Sequence, residues 1–121
     1  MRKRREAEIQ EGILHLLRLR GVPASPTDAS RSFGPDGLPR RNKVYPGWPD
    51  ISATIHRGYN VGRSLYMEIK SKRGKVSDVQ RRTLNTLERA GALVYVVRSV
   101  NEANQILDRI LGPWDGKVVR G

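Results

Sequence analysis

Residues 64–70, "SLYMEIK", alternate without a break, and that alternation constrains the fold more than any other stretch of the chain. Side chains along a strand point to opposite faces in turn, so Leu65, Met67 and Ile69 share one face and Tyr66, Glu68 and Lys70 the other. The first face is apolar and belongs to a core. The second carries a carboxylate and an ammonium one strand step apart. It must meet either water or a partner that uses both charges.

The flanking sequence supplies neighbours for this strand. Upstream, "ISATI" (51–55) reads as a second strand, joined to it by the turn-rich "HRGYNVG" (56–62) as a hairpin with a long tip, where Tyr59 and Asn60 mark the turn. Downstream, "SKRGK" is a basic turn. Ser77 to about Ala90 then fits a helix closed by Gly91, with Val76, Val79, Gln80, Thr83, Leu87 and Ala90 inward. "ALVYVV" (92–97) is nearly all apolar and predicts a strand buried on both faces. Ser99 and Glu102 form a capping box for a last helix with Ala103, Ile106, Leu107, Ile110 and Leu111 inward.

At the other end, residues 4–20 fit a helix with Ile9, Ile13, Leu16 and Leu17 on one face, ended by Gly21 and Pro23. Residues 22–47 are rich in Pro, Gly, Ser and Arg and predict a long loop, with a short strand near Arg31–Phe33 or Asn42–Tyr45. Arg31, Arg40, Arg41 and Lys43 make this loop a candidate substrate contact. The segment from Gly112 predicts irregular structure, in which Trp114 anchors the tail or a subunit contact. Helix, hairpin, helix, strand, helix is an α/β order with a mixed sheet flanked by helices. At 121 residues it predicts one domain spanning 1–121.

Charge narrows the function. Lys and Arg number 23 against 12 Asp and Glu, a net +11, which favours a polyanionic partner, and phosphate backbones are the usual one for a compact basic domain. No basic amphipathic helix with bulky aromatics argues for an anionic membrane, and no apolar run reaches the roughly 20 residues of a membrane span. The N-terminal "MRKRREAEIQ" lacks the apolar segment of a secretion signal. With no cysteine, disulfides and thiolate metal sites are excluded, which is compatible with a reducing cytoplasm. His15 and His56 have no zinc-site spacing.

The polar face of the alternating strand is where chemistry can sit. Asp50 ends "GWPD" just before "ISATI", and the hairpin brings it near the level of Glu68. Two converging carboxylates bind a hard divalent cation such as Mg²⁺ or Mn²⁺ through oxygen. Lys70 beside them can orient a water and stabilise charge developing on a phosphate. The bland alternatives are a surface ion pair for Glu-X-Lys and a turn for Gly-X-Pro-Asp. Glu6 falls at the centre of the first helix's apolar arc, while Glu8 lies opposite. A carboxylate aimed inward needs a partner, for which a metal or Lys70 would serve, unless it sits in a frayed first turn. Gln80 either closes a capping box with Ser77, or borders the acidic cluster, or does both. Lys72, Arg73 and Lys75 cluster beyond Lys70 as candidate phosphate contacts. Trp48 adjoins Asp50, where it packs under the hairpin or stacks on a base or sugar.

"GWPD" at 47–50, "EIK" at 68–70 and "KVSDVQRRTLNTLERAGALVYVVRS" at 75–99 together resemble the VRR-NUC family, a branch of the PD-(D/E)xK nucleases. The resemblance covers roughly residues 6–111 and implies a restriction-endonuclease-like αβββαβα core. It implies a Mg²⁺- or Mn²⁺-dependent DNA endonuclease, similar to small stand-alone phage members that act as homodimers on branched DNA such as four-way junctions. Asp50, Glu68 and the backbone carbonyl of Ile69 would be metal ligands, with Glu6 a further one directly or through water. Lys70 would be the catalytic lysine, and Gln80 the glutamine of the following helix. The alternative is a non-catalytic basic DNA-binding module, or a nuclease subunit of a larger replication or repair assembly.

Overall fold

A computed structural model describes residues 2–27, 36 and 45–112. Among these, seven elements run in the order α1 (Arg2–Leu19), β1 (Ala24–Pro26), β2 (Ile51–Thr54), β3 (Ser64–Ile69), α2 (Asp78–Arg89), β4 (Leu93–Val97) and α3 (Val100–Leu111). The strands form one sheet in the order β1-β2-β3-β4. β1, β2 and β3 pair antiparallel, whereas β4 joins β3 in parallel through the α2 crossover. This is the α/β, αβββαβα arrangement. No described helix is long and apolar enough to cross a membrane.

The period-2 pattern of β3 divides the molecule. Leu65, Met67 and Ile69 are buried with Ile51, Ala53 and Val97 of the neighbouring strands, and Ile13 and Leu17 of α1 and Ala103, Ile106 and Leu107 of α3 close over them. This is the core, driven by removal of apolar surface from water. α2 lies against β4 on the other face.

Both helix-to-strand junctions, α1 to β1 and α2 to β4, turn on a glycine. Gly21 (φ +79°) and Gly91 (φ +103°) occupy left-handed positions just past α1 and α2. After α1, Val22 N–H donates to Leu17 O and Gly21 N–H to Arg18 O; after α2, Ala92 N–H donates to Leu87 O and Gly91 N–H to Glu88 O. Each is a Schellman closure that satisfies the last carbonyls of the helix. The start of α2 has the expected reciprocal box between Ser77 and Gln80. At α3 only half of the expected box forms: Ser99 caps the Glu102 N–H, but the Glu102 carboxylate takes the Arg98 N–H instead of that of Ser99.

Three sequence expectations are corrected. β1 falls at Ala24–Pro26, inside the stretch expected to be loop. It is three residues long, follows Pro23 and ends on Pro26, which an edge strand tolerates. β4 is not buried on both faces: among the described residues it is the sheet edge, and only Val97 is fully buried. On α2, Leu84 is buried and Val79 is 42% exposed, because the helix leans on β4 with a narrower face than its apolar pattern suggests. The candidate strand positions at 31–33 and 42–44, the contacts Arg31, Arg40, Arg41 and Lys43, and Trp114 lie outside the described residues.

Candidate active site

β2 and β3 pair with Ile51 opposite Met67, so one step back Asp50 stands opposite Glu68. The approach to Asp50 is wedged in place. Gly47 (φ +76°) rests directly on α2, where a Cβ would come within 2.6 Å of the Val79 carbonyl oxygen. Thr83 Oγ1 donates to Pro46 O at 2.6 Å, and Thr27 binds both Pro49 and Asp50, its hydroxyl on the Pro49 carbonyl and its N–H on Asp50 O at 2.9 Å. Trp48 packs edge-on against Tyr45 and Tyr66 (centroids 5.9 and 5.4 Å), so its ring lies over β3 under the hairpin approach.

Asp50 Oδ2 accepts the Ile69 N–H at 2.7 Å, taking the place of a ladder carbonyl. The register puts Pro49 opposite Ile69, and proline has no N–H. The ladder therefore offers the Ile69 carbonyl no donor on the side where Asp50 lies.

Glu68 is 2% exposed. Its Oε2 accepts from Gln80 Nε2 at 3.0 Å and lies 3.6 Å from Lys70 Nζ, while its Oε1 has no hydrogen-bond partner. Burial, then the neighbouring Asp50 charge, pushes the Glu68 carboxyl up to about 8, with Lys70 opposing. A buried carboxyl beside a like-charged neighbour is costly to ionise, so without a cation it keeps its proton to higher pH. Gln80 does two jobs at once. Its Oε1 accepts the Ser77 N–H at 2.9 Å, capping α2, and its Nε2 is thereby aimed at Glu68.

The structure thus brings Asp50, Glu68, Lys70 and Gln80 together. Glu6 stands one turn further on. Its carboxylate finds a partner in the Ser71 N–H at 3.2 Å rather than in Lys70, and Glu8 faces solvent beside Arg4. Among the described residues no three His, Cys, Asp or Glu side chains group as a metal cage. The donor set that fits a hard cation is the Asp50 and Glu68 pair with the Ile69 carbonyl, and the orphaned Glu68 Oε1 is the atom that calls for it. Lys72, Arg73 and Lys75 are exposed beside this cluster. His56 is exposed, and its pKa is lowered by what burial it has and by Arg57.

Sequence reasoning missed Arg98. Its guanidinium donates to the carbonyls of Ser71 and Gly74, each at 2.7 Å, beneath the basic turn. No pattern announces such a residue, because its partners are backbone atoms. It also missed that Asn60 and Arg63 fasten the hairpin tip, to Ile110 O (3.3 Å) and Gly91 O (3.0 Å).

An αβββαβα sheet that sets two carboxylates and a lysine on adjoining strands is a restriction-endonuclease-like fold. Among solved structures the chain is similar to a "VRR_NUC domain protein", with a TM-score of 0.61 and 21% sequence identity over 94% of this chain and 95% of that one. At that identity the likeness shows the fold. No protein-family model and no curated protein matches the chain.

Proposed function

We propose that this protein is a metal-dependent endodeoxyribonuclease of the VRR-NUC type. The observation that carries the reading is the buried Glu68 carboxylate, opposite Asp50 and beside Lys70, with one oxygen left without a partner. Asp50, Glu68 and the Ile69 carbonyl would hold Mg²⁺ or Mn²⁺. When bound, such an ion polarises a phosphate oxygen and acidifies a water.

The chain's own groups do the rest. Lys70, held against Glu68, orients the attacking water and stabilises charge growing on the phosphorus oxygens. Gln80 fixes Glu68 Oε2 and so leaves Oε1 as the free lone-pair donor. The sheet face beside the cluster is an open groove lined in part by Ser25, Ser52, Thr54, Ser64 and Tyr66, neutral hydroxyls that a sugar–phosphate strand can lie along. Lys72, Arg73 and Lys75 border the cluster as phosphate contacts, and the +11 charge draws DNA in from a distance. Arg40, Arg41 and Lys43 of the sequence are proposed as further DNA contacts. Branched DNA is the substrate that suits a homodimer, since a two-fold four-way junction matches a pair of symmetric sites.

The test is cleavage of an end-labelled four-way junction and a matched linear duplex with Mg²⁺, Mn²⁺ or EDTA, by wild type and Lys70→Ala. Metal-dependent cutting lost in the mutant supports the nuclease, and paired symmetric cuts confined to the junction support the dimeric resolvase. Binding of both DNAs without cutting would replace this reading with that of an accessory DNA-binding module.

A further inference from the structure

The turn that follows Lys70 is held by two charged side chains that the metal and phosphate chemistry leaves over. Gly74 N–H donates to Ser71 O at 3.0 Å, closing a four-residue turn with Lys72 and Arg73 at its centre, both exposed. Glu6 reaches across from α1 and accepts the Ser71 N–H at 3.2 Å. Arg98, leaving the end of β4, donates to Ser71 O and Gly74 O at 2.7 Å each and to Lys72 O at 3.4 Å. Gly74 is buried beneath Glu6, and a Cβ there would stand 3.0 Å from Glu6 Oε2 and 3.2 Å from Ser71 Oγ.

Such an arrangement needs a reason. Two adjacent cations at a turn tip repel each other, and a third placed under them by Arg98 raises that repulsion. The carbonyls gathered on its guanidinium offset the repulsion, and the Glu6 carboxylate fixes the turn at its first N–H. Lys70 is tied into the same unit, because its own N–H donates to Val97 O at 3.0 Å, the residue before Arg98. Helix α1, the end of β3 and the end of β4 therefore meet at one turn, immediately after the lysine.

We propose that Glu6 and Arg98 are positioning residues, which lock the 71–74 turn so that Lys70 is set against Glu68 and Lys72 and Arg73 are held toward a DNA phosphate. The inference rests on the nuclease reading of the same site. It gives Glu6 a backbone N–H to hold in place of a metal ion.

The experiment measures kcat and KM on the junction, Mn²⁺ affinity, and Ser71 and Gly74 amide exchange for wild type and four variants. Arg98→Ala and Glu6→Ala should each lower kcat about tenfold and speed exchange at both amides, with Mn²⁺ affinity and melting temperature near wild type. Glu6→Gln keeps an acceptor for the Ser71 N–H and should restore kcat to within about threefold of wild type. Arg98→Lys, whose single ammonium cannot fork to separated carbonyls, should not restore it. Loss of Mn²⁺ affinity in Glu6→Ala and Glu6→Gln alike would make Glu6 a metal ligand and overturn the proposal. So would unchanged kcat, KM and exchange in Arg98→Ala. A wild-type protein that cuts nothing would strike at the nuclease reading itself, which is a different failure.

Discussion

Two buried charges at opposite ends of the sheet are treated in contrary ways. Arg20 and Glu68 are each 2% exposed. Arg20, just past α1, donates to Asn104 O (3.3 Å), Asn104 Oδ1 (3.1 Å), Asp108 Oδ1 (2.9 Å) and Gly112 O (3.1 Å), and so ties α1 to the length of α3. Only its Nε lacks a partner. Glu68 has a like charge in front of it, one free oxygen, and a carboxyl pushed up to about 8 by burial and by Asp50. Arg20, with four acceptors and an opposite charge supplied by the chain, serves the fold. Glu68, pressed by a like charge and held to its proton by burial, is the group on which the proposed chemistry rests.

The sharpest break in that comparison is catalytic. Lys70→Ala or Asp50→Asn should lower kcat by roughly 10³-fold while leaving the melting temperature almost unchanged, read by single-turnover cleavage and thermal melts. Next comes stability, where the two charges should respond with opposite sign. Arg20→Met strands the acceptors of α3 and should cost about 3 kcal/mol in a denaturant melt. Glu68→Gln removes the like-charge conflict and should raise the metal-free melting temperature at pH 8.

The pH dependence follows from the same carboxyl. Its folded value, about 8, lies above its ordinary value of 4.5, so the folded state holds the extra proton between them. Metal-free stability from this group is full below about pH 4.5 and declines as pH rises toward about 8. Mn²⁺ should therefore raise the melting temperature more at pH 8 than at pH 5.5, and Glu68→Gln should flatten the profile. The smallest effect is expected of Gln80→Ala, which loses half a capping box and the Glu68 contact: about 1 kcal/mol of stability and roughly tenfold in kcat.

Much of this was legible in the residues, and the omissions have physical causes. The alternation of 64–70, the glycines after two helices and the Ser77–Gln80 box are local signals, and each names its own element. The Asp50–Glu68 meeting could be anticipated because a hairpin fixes its register from short-range pairing. β1 was hidden because an edge strand of three residues with prolines has no pattern of its own. The exposure of β4 was hidden because apolar content reports half-burial and full burial alike. Arg20 and Arg98 were invisible for a third reason: their partners are backbone carbonyls and residues up to 92 positions away, which composition cannot encode.

The central claim is that the unsatisfied side of Glu68 is a cation position. Calorimetric titration of Mn²⁺ into the metal-free protein at pH 7, in two buffers of different ionisation enthalpy, tests it most directly. Saturable binding with net proton release is expected, since the ion must displace the proton Glu68 retains below about pH 8, with loss of both in Asp50→Asn. Absence of Mn²⁺ binding, or binding of equal strength in Asp50→Asn without proton release, would contradict it.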